Sequence, residues 1–187
     1  MRFLDEDGGC TVDLPDSVVD RLRTLTRQAD RKETGGILIG CYDAAHRSAL
    51  VSRITGPPRD SVSGPSTFER GTQGLDALLA RAWRHRLYYL GEWHSHPEVN
   101  PQASEIDALQ MSMFASTAGM RCPEPVLLIV GAADVIGHIV CYVYRRKLIA
   151  LQLAPKSLGP MATASGPNAV GRRLRDNPPK NVKRITL

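Results

Sequence analysis

Residues 91–110 read GEWHSHPEVNPQASEIDALQ, and they hold two of the chain's five histidines with a serine and an aspartate close behind. The run leading in, LYYLGEWHSH, is rich in β-formers and reads as a strand, on which successive side chains alternate between faces. His94 and His96 therefore point the same way, their Cα atoms about 7 Å apart. Pro97 and Pro101 cannot continue a ladder, so PEVNPQA swings the chain round to a helix beginning at Ser104. That places Asp107 in the helix's first turn. Two neutral nitrogens and a carboxylate, with a fourth position open for water, form the ligand set of a catalytic zinc site.

The same donors describe the facial triad of non-haem Fe(II) oxygenases, so ligand identity leaves zinc and iron both open. Ser104 with Asp107 also reads as a variant capping box, which needs no metal. The two roles are compatible, because a first-turn side chain lies near both the helix end and the strand. Hydrolysis would also need a base. Glu33, Glu92, Glu98 and Glu105 are candidates. Glu92 shares a strand face with both histidines. Glu33 stands just before TGGILIG, where two glycines let neighbouring backbone approach closely. Spacing does not choose between them.

Outward from this segment, LPDSVVDRLRTLTRQA is an amphipathic helix, with Leu14, Val18, Leu22, Leu25 and Ala29 at helical spacing and Pro15 at a tolerated first-turn position. GGILIGCY and ALVSRI are strands joined by a turn at DAAHRS. TGPPRDSVSGPST is a loop long enough to be functional or mobile. A second helix spans TQGLDALLARAWRHR, burying Leu75, Leu78, Leu79, Ala82 and Trp83, and a third spans SEIDALQMSMFASTA. PVLLIVG and HIVCYVYRRKLIALQL are core strands, the latter continuing or bending near Arg145.

Length suits one domain with a real core. The basic excess is confined to one end. Residues 1–155 carry 17 Lys and Arg against 18 Asp and Glu, whereas residues 156–187 carry 7 basic residues against Asp176 alone. The expected organisation is a domain over 1–155 and a basic, flexible tail over 156–187, rich in Pro, Gly, Ala and Ser and without an apolar face. The near-neutral body argues against nucleic acid as partner. No apolar run reaches the ~20 residues of a membrane span, and MRFLDEDGGC lacks the pattern of a secretory signal. Cys10, Cys41, Cys122 and Cys141 form no CxxC pair and read as free thiols, so a cytoplasmic location is expected.

ETGGILIG, followed some sixty residues later by HSHPEVNPQASEID, resembles the JAMM motif of the JAB/MPN metallopeptidases. That motif reads Glu, then His-x-His-Pro, a spacer and Ser-x-x-Asp, and every position is filled. The resemblance covers roughly residues 10–153. It implies an α/β (α+β) fold, a curved, mostly antiparallel sheet flanked by helices, of cytidine-deaminase-like architecture. It also implies one Zn2+ per chain on His94, His96 and Asp107, Glu33 as general acid/base, and Ser104 at the oxyanion or the water. Glu92 then becomes structural. YLGEWHSHP looks like bacterial JAB proteins encoded with ubiquitin-like conjugation enzymes, some in CBASS-type antiphage operons. The implied activity is a zinc isopeptidase cutting behind the C-terminus of a ubiquitin-like or otherwise conjugated protein. Two alternatives stand beside it. One is a hydrolase releasing a small amino acid or amine from a sulfur-carrier protein. The other is a non-enzymatic binding protein acting through its basic tail.

Overall fold

The structure, a computed structural model, describes residues 1–45, 47–131 and 138–155 and the backbone of 185–186. Its elements run β1 (Arg2–Leu4), β2 (Thr11–Asp13), α1 (Asp16–Gln28), β3 (Gly35–Tyr42), β4 (Ser48–Ile54), β5 (Val62–Ser63), β6 (Phe68–Arg70), α2 (Leu75–Arg84), β7 (Tyr88–Ser95), α3 (Glu105–Ser116), β8 (Val126–Val130), β9 (Ile139–Tyr144), β10 (Leu148–Leu153) and β11 (Ile185–Thr186). Eight strands close into a barrel in the order β1-β10-β9-β8-β7-β3-β4-β2. Its pairs are antiparallel except β2 with β4 and β7 with β8. The latter are joined through α3, as a parallel pair requires a crossover. The expected α/β fold with a curved, mostly antiparallel sheet is what forms. Among the described residues no helix is long and apolar enough to cross a membrane.

The central strands β3, β7 and β8 read as near-continuous apolar runs because both their faces are covered. On one face Leu38, Leu90, Trp93, Val126 and Leu128 join Val18, Val19, Leu22 and Leu25 of α1. On the other, Ile37, Ile39, Tyr89, Leu127 and Ile129 join Leu75, Leu79 and Ala82 of α2 and Met111 and Phe114 of α3. Leu78, expected inside, is exposed instead, and Trp83 is only half-buried, its ring meeting Tyr88 edge-on and Arg121 above it. The apolar stripe of α2 is narrower than the periodicity implied.

A bulge on β7 sets the phase of the site strand. Leu38 pairs with Gly91 and Ile39 with Tyr89, so Leu90 is the extra residue. Gly91 carries φ 147°, and a Cβ there would collide with the Val126 carbonyl. The extra residue turns Glu92 and His94 onto the face shared with α3, with Trp93 opposite them in the other core.

Differences from expectation are local. The loop at 55–67 contains β5, which with β6 and β11 makes a second, three-stranded sheet. The apolar stretch at 138–153 folds back as a β9–β10 hairpin, with Arg146 at φ 64° in its turn. All four cysteines are free, and Cys10, Cys122 and Cys141 are buried. The basic tail falls outside the described residues except for Ile185–Thr186, which pair with β6.

Candidate metal centre

His94 and His96 leave the end of β7 on one face. The backbone there is locked from both sides: Ser95 N donates to the Thr34 carbonyl (2.8 Å), and His96 N donates to the Val130 carbonyl (2.9 Å). The Ser95 hydroxyl accepts from Thr34 N at 3.0 Å. Gly35 pairs with His94, and the close fit is visible in what a side chain would meet. A Cβ on Gly35 would stand 2.5 Å from the Trp93 carbonyl and 2.6 Å from the Phe68 ring.

Ser104 caps α3 with a complete capping box. Its hydroxyl accepts from Asp107 N (3.1 Å) and donates to Asp107 Oδ2 (2.7 Å), while Ser104 N donates to the same Oδ2 (2.7 Å). Asp107 Oδ2 is thereby held by two donors. Oδ1 is left facing His94 Nε2 at 3.5 Å. The cap thus acts on one oxygen and leaves the other for the cluster, which resolves the apparent competition between the two roles.

His94 Nε2 and His96 Nε2 face each other at 2.9 Å, and with Asp107 their ligand atoms all lie within 4.8 Å of one another. Donors around one zinc at ~2.0–2.2 Å stand ~3–3.6 Å apart. The 3.5 Å between His94 Nε2 and Asp107 Oδ1 matches that spacing, and the full 4.8 Å span would have to draw in by about 1 Å to share an ion. Burial pushes the His94 ring down to about 4, against the opposing pull of Asp107, so it is neutral and its lone pair is available at pH 7. Its Nδ1 is buried with no partner among the described residues. His96 Nδ1 lies 3.7 Å from the exposed carboxylate of Glu98.

Glu33 lies two residues before β3, and its N–H donates to the Gly64 carbonyl at 2.8 Å. The residue is buried, and burial first, then the charges of Glu98 and Asp107, push its carboxyl up to about 7. It therefore lies within the electrostatic reach of the cluster and can both take and release a proton near neutral pH. Glu92 is committed elsewhere. Its carboxylate accepts from Arg70 Nε (2.8 Å) and Nη2 (3.2 Å) and from the Tyr89 hydroxyl (2.6 Å), all of them buried. Of the four glutamates weighed from sequence, Glu105 is exposed at the start of α3. Arg70 was missed at the sequence level, and a lone arginine in the short stretch FERG, between a Pro/Gly/Ser-rich loop and a helix, carries no signal that could have found it.

Prokaryotic homologs of the JAB domain, as a family, match residues 15–142. A protein of Enterobacter hormaechei subsp. hoffmannii named CD-NTase/cGAS isopeptidase is 38% identical over 131 residues, covering 70% of this chain and 73% of that one. A Pseudomonas aeruginosa protein of the same name is 27% identical over 138 residues, covering 70% and 85%. Among solved structures, the solution structure of protein DSY2949 from Desulfitobacterium hafniense superposes with a TM-score of 0.55 at 18% identity, covering 74% of this chain and 88% of that one, a likeness of fold.

Proposed function

Because the chain belongs to the family of prokaryotic JAB-domain homologs, we propose that it is a zinc-dependent isopeptidase that hydrolyses the bond between the C-terminus of a conjugated protein and its target. The convergence of His94 Nε2, His96 Nε2 and Asp107 Oδ1 beside the raised carboxyl of Glu33 carries the proposal. By similarity to the isopeptidases named above, the conjugated protein is of the CD-NTase/cGAS type; antiphage defence in the bacterial cytoplasm is the setting proposed with it.

In this scheme His94, His96 and Asp107 hold one zinc, which when bound acidifies water and polarises the scissile carbonyl. Glu33 accepts the proton of the attacking water as the new carbon–oxygen bond forms. It then delivers that proton to the nitrogen as the carbon–nitrogen bond breaks, so the carboxylate is regenerated. The Ser104 hydroxyl donates to Asp107 Oδ2, keeping Oδ1 turned to the imidazoles; to serve the developing oxyanion it turns its single proton from that carboxylate to the new acceptor.

Elemental analysis is expected to find one zinc per chain. Replacing His94, His96 or Asp107 with alanine removes both the metal and the activity. Stoichiometric iron, or turnover that survives 1,10-phenanthroline, contradicts the zinc hydrolase.

The substrate class is tested by a pair of substrates. An intact conjugate is expected to have a much higher kcat/KM than its isolated terminal peptide, because contacts remote from the carbonyl position it for attack. Equal efficiency on both points instead to a hydrolase of small amines or carrier-protein adducts.

A further inference from the structure

The small sheet beside the metal centre places residues 185–186 against the edge of β6, while β5 lies on the other side. We infer that this segment is an intramolecular competitor, occupying the edge on which the acyl strand of a conjugate docks and leaving it when substrate arrives. The inference rests on the isopeptidase function proposed above.

Position and polarity carry it. Phe68, at one end of β6, packs against Gly35, whose register partner is His94. Arg70, at the other end, bonds Glu92, two residues earlier on β7. Moving along β6 from Arg70 to Phe68 is therefore moving from the level of Glu92 to the level of His94. β11 is antiparallel to β6, with Ile185 opposite Arg70 and Thr186 opposite Glu69. Its N-to-C direction runs toward Phe68 and the metal cluster. A substrate cut behind its own C-terminus needs that same direction, since its last carbonyl must reach His94, His96 and Glu33. The hairpin is tied to the base as well, through the Gly64 carbonyl that accepts from Glu33 N.

Strand addition draws its affinity from main-chain hydrogen bonds, which any extended segment can offer. Residues 185–186 and a substrate strand are thus interchangeable on this edge. With two paired residues, β11 is a short strand that a longer substrate strand can displace.

The test compares the full chain, a chain stopped after residue 180, and an Ile185→Pro, Thr186→Pro double variant that removes both backbone donors. Because apparent affinity scales with the fraction of protein whose edge is open, KM for the conjugate is expected to fall roughly three- to tenfold in both altered forms, with kcat unchanged. A peptide of residues 181–187 added to the shortened chain restores the higher KM competitively, and the same peptide with both prolines does not. An unchanged or raised KM shows a purely structural strand and overturns the inference. If no form cleaves any conjugate, the isopeptidase function fails on its own account. Fluorescence anisotropy of the labelled peptide on the shortened chain then still decides whether the edge accepts this strand. Binding abolished by the two prolines supports it, and no binding refutes it.

Discussion

Glu33→Gln lowers kcat on a conjugate substrate by about 10²–10⁴-fold while zinc content stays at one per chain, the usual effect of removing a positioned acid/base. Glutamine keeps the shape and the burial of the side chain but can neither take the proton from water nor return it to the amine. A second consequence separates chemistry from damage. Folding raises this carboxyl from 4.5 to about 7, so the folded state favours the protonated form. Its contribution to stability is fully present below pH 4.5 and is lost as pH rises through 7. With metal removed, Glu33→Gln is therefore expected to stabilise the protein at pH 8 by about 1–2 kcal/mol, a value reduced for the water that still reaches the group, and to change nothing at pH 4.5. Calorimetry at the two pH values checks this. A variant that is less stable at both, or one that keeps full activity while Glu92→Gln loses it, shows that the base has been misassigned.

The cluster was legible because its chemistry is local. His94, His96, Ser104 and Asp107 fall within one strand, one Pro-broken loop and one first turn, so alternation and capping rules alone bring them together. β3 and β8 were legible for a related reason, since burial on both faces writes an unbroken apolar run into the sequence. What stayed hidden depends on distant partners or on very short pairings. β1, β2, β5 and β6 have two or three residues each, too few for any period to register. The bulge at Leu90 and Gly91 cannot be inferred from an isolated glycine, although it decides which way Glu92 and His94 face. Glu92 illustrates the limit. Alternation put it on the histidines' face, but the arginine that occupies it comes from β6, across a loop whose composition gave no reason to expect an element at all.

That ion pair sets the other large effect. Arg70→Met is expected to destabilise the protein by about 3–5 kcal/mol, because it leaves a buried carboxylate without its cation. Both side chains are fully buried, and the guanidinium grips Glu92 through two nitrogens while Nη1 donates to the Gly71 carbonyl at 2.8 Å. Burial pushes the Glu92 carboxyl up, and Arg70 and the Tyr89 hydroxyl oppose that push. Without Arg70 the opposition weakens, and the group must either stay charged in an apolar site or take up a proton. Neither option restores what was lost. Adding Glu92→Met to Arg70→Met is expected to recover most of the deficit, since an apolar pair of similar volume replaces two charges that had to be desolvated. About 1–2 kcal/mol should persist, because the Tyr89 hydroxyl then lacks its carboxylate. Urea unfolding of the metal-free single and double variants measures both quantities. A single variant within 1 kcal/mol of the parent, or a double variant no better than the single, would mean that packing rather than charge pairing joins β6 to β7. The effect also reaches the metal centre. β6 carries Phe68 against Gly35, and Gly35 lies beside His94, so a β6 released from Glu92 loosens the wall behind the first imidazole. Zinc affinity is accordingly expected to fall in the single variant and to return in the double.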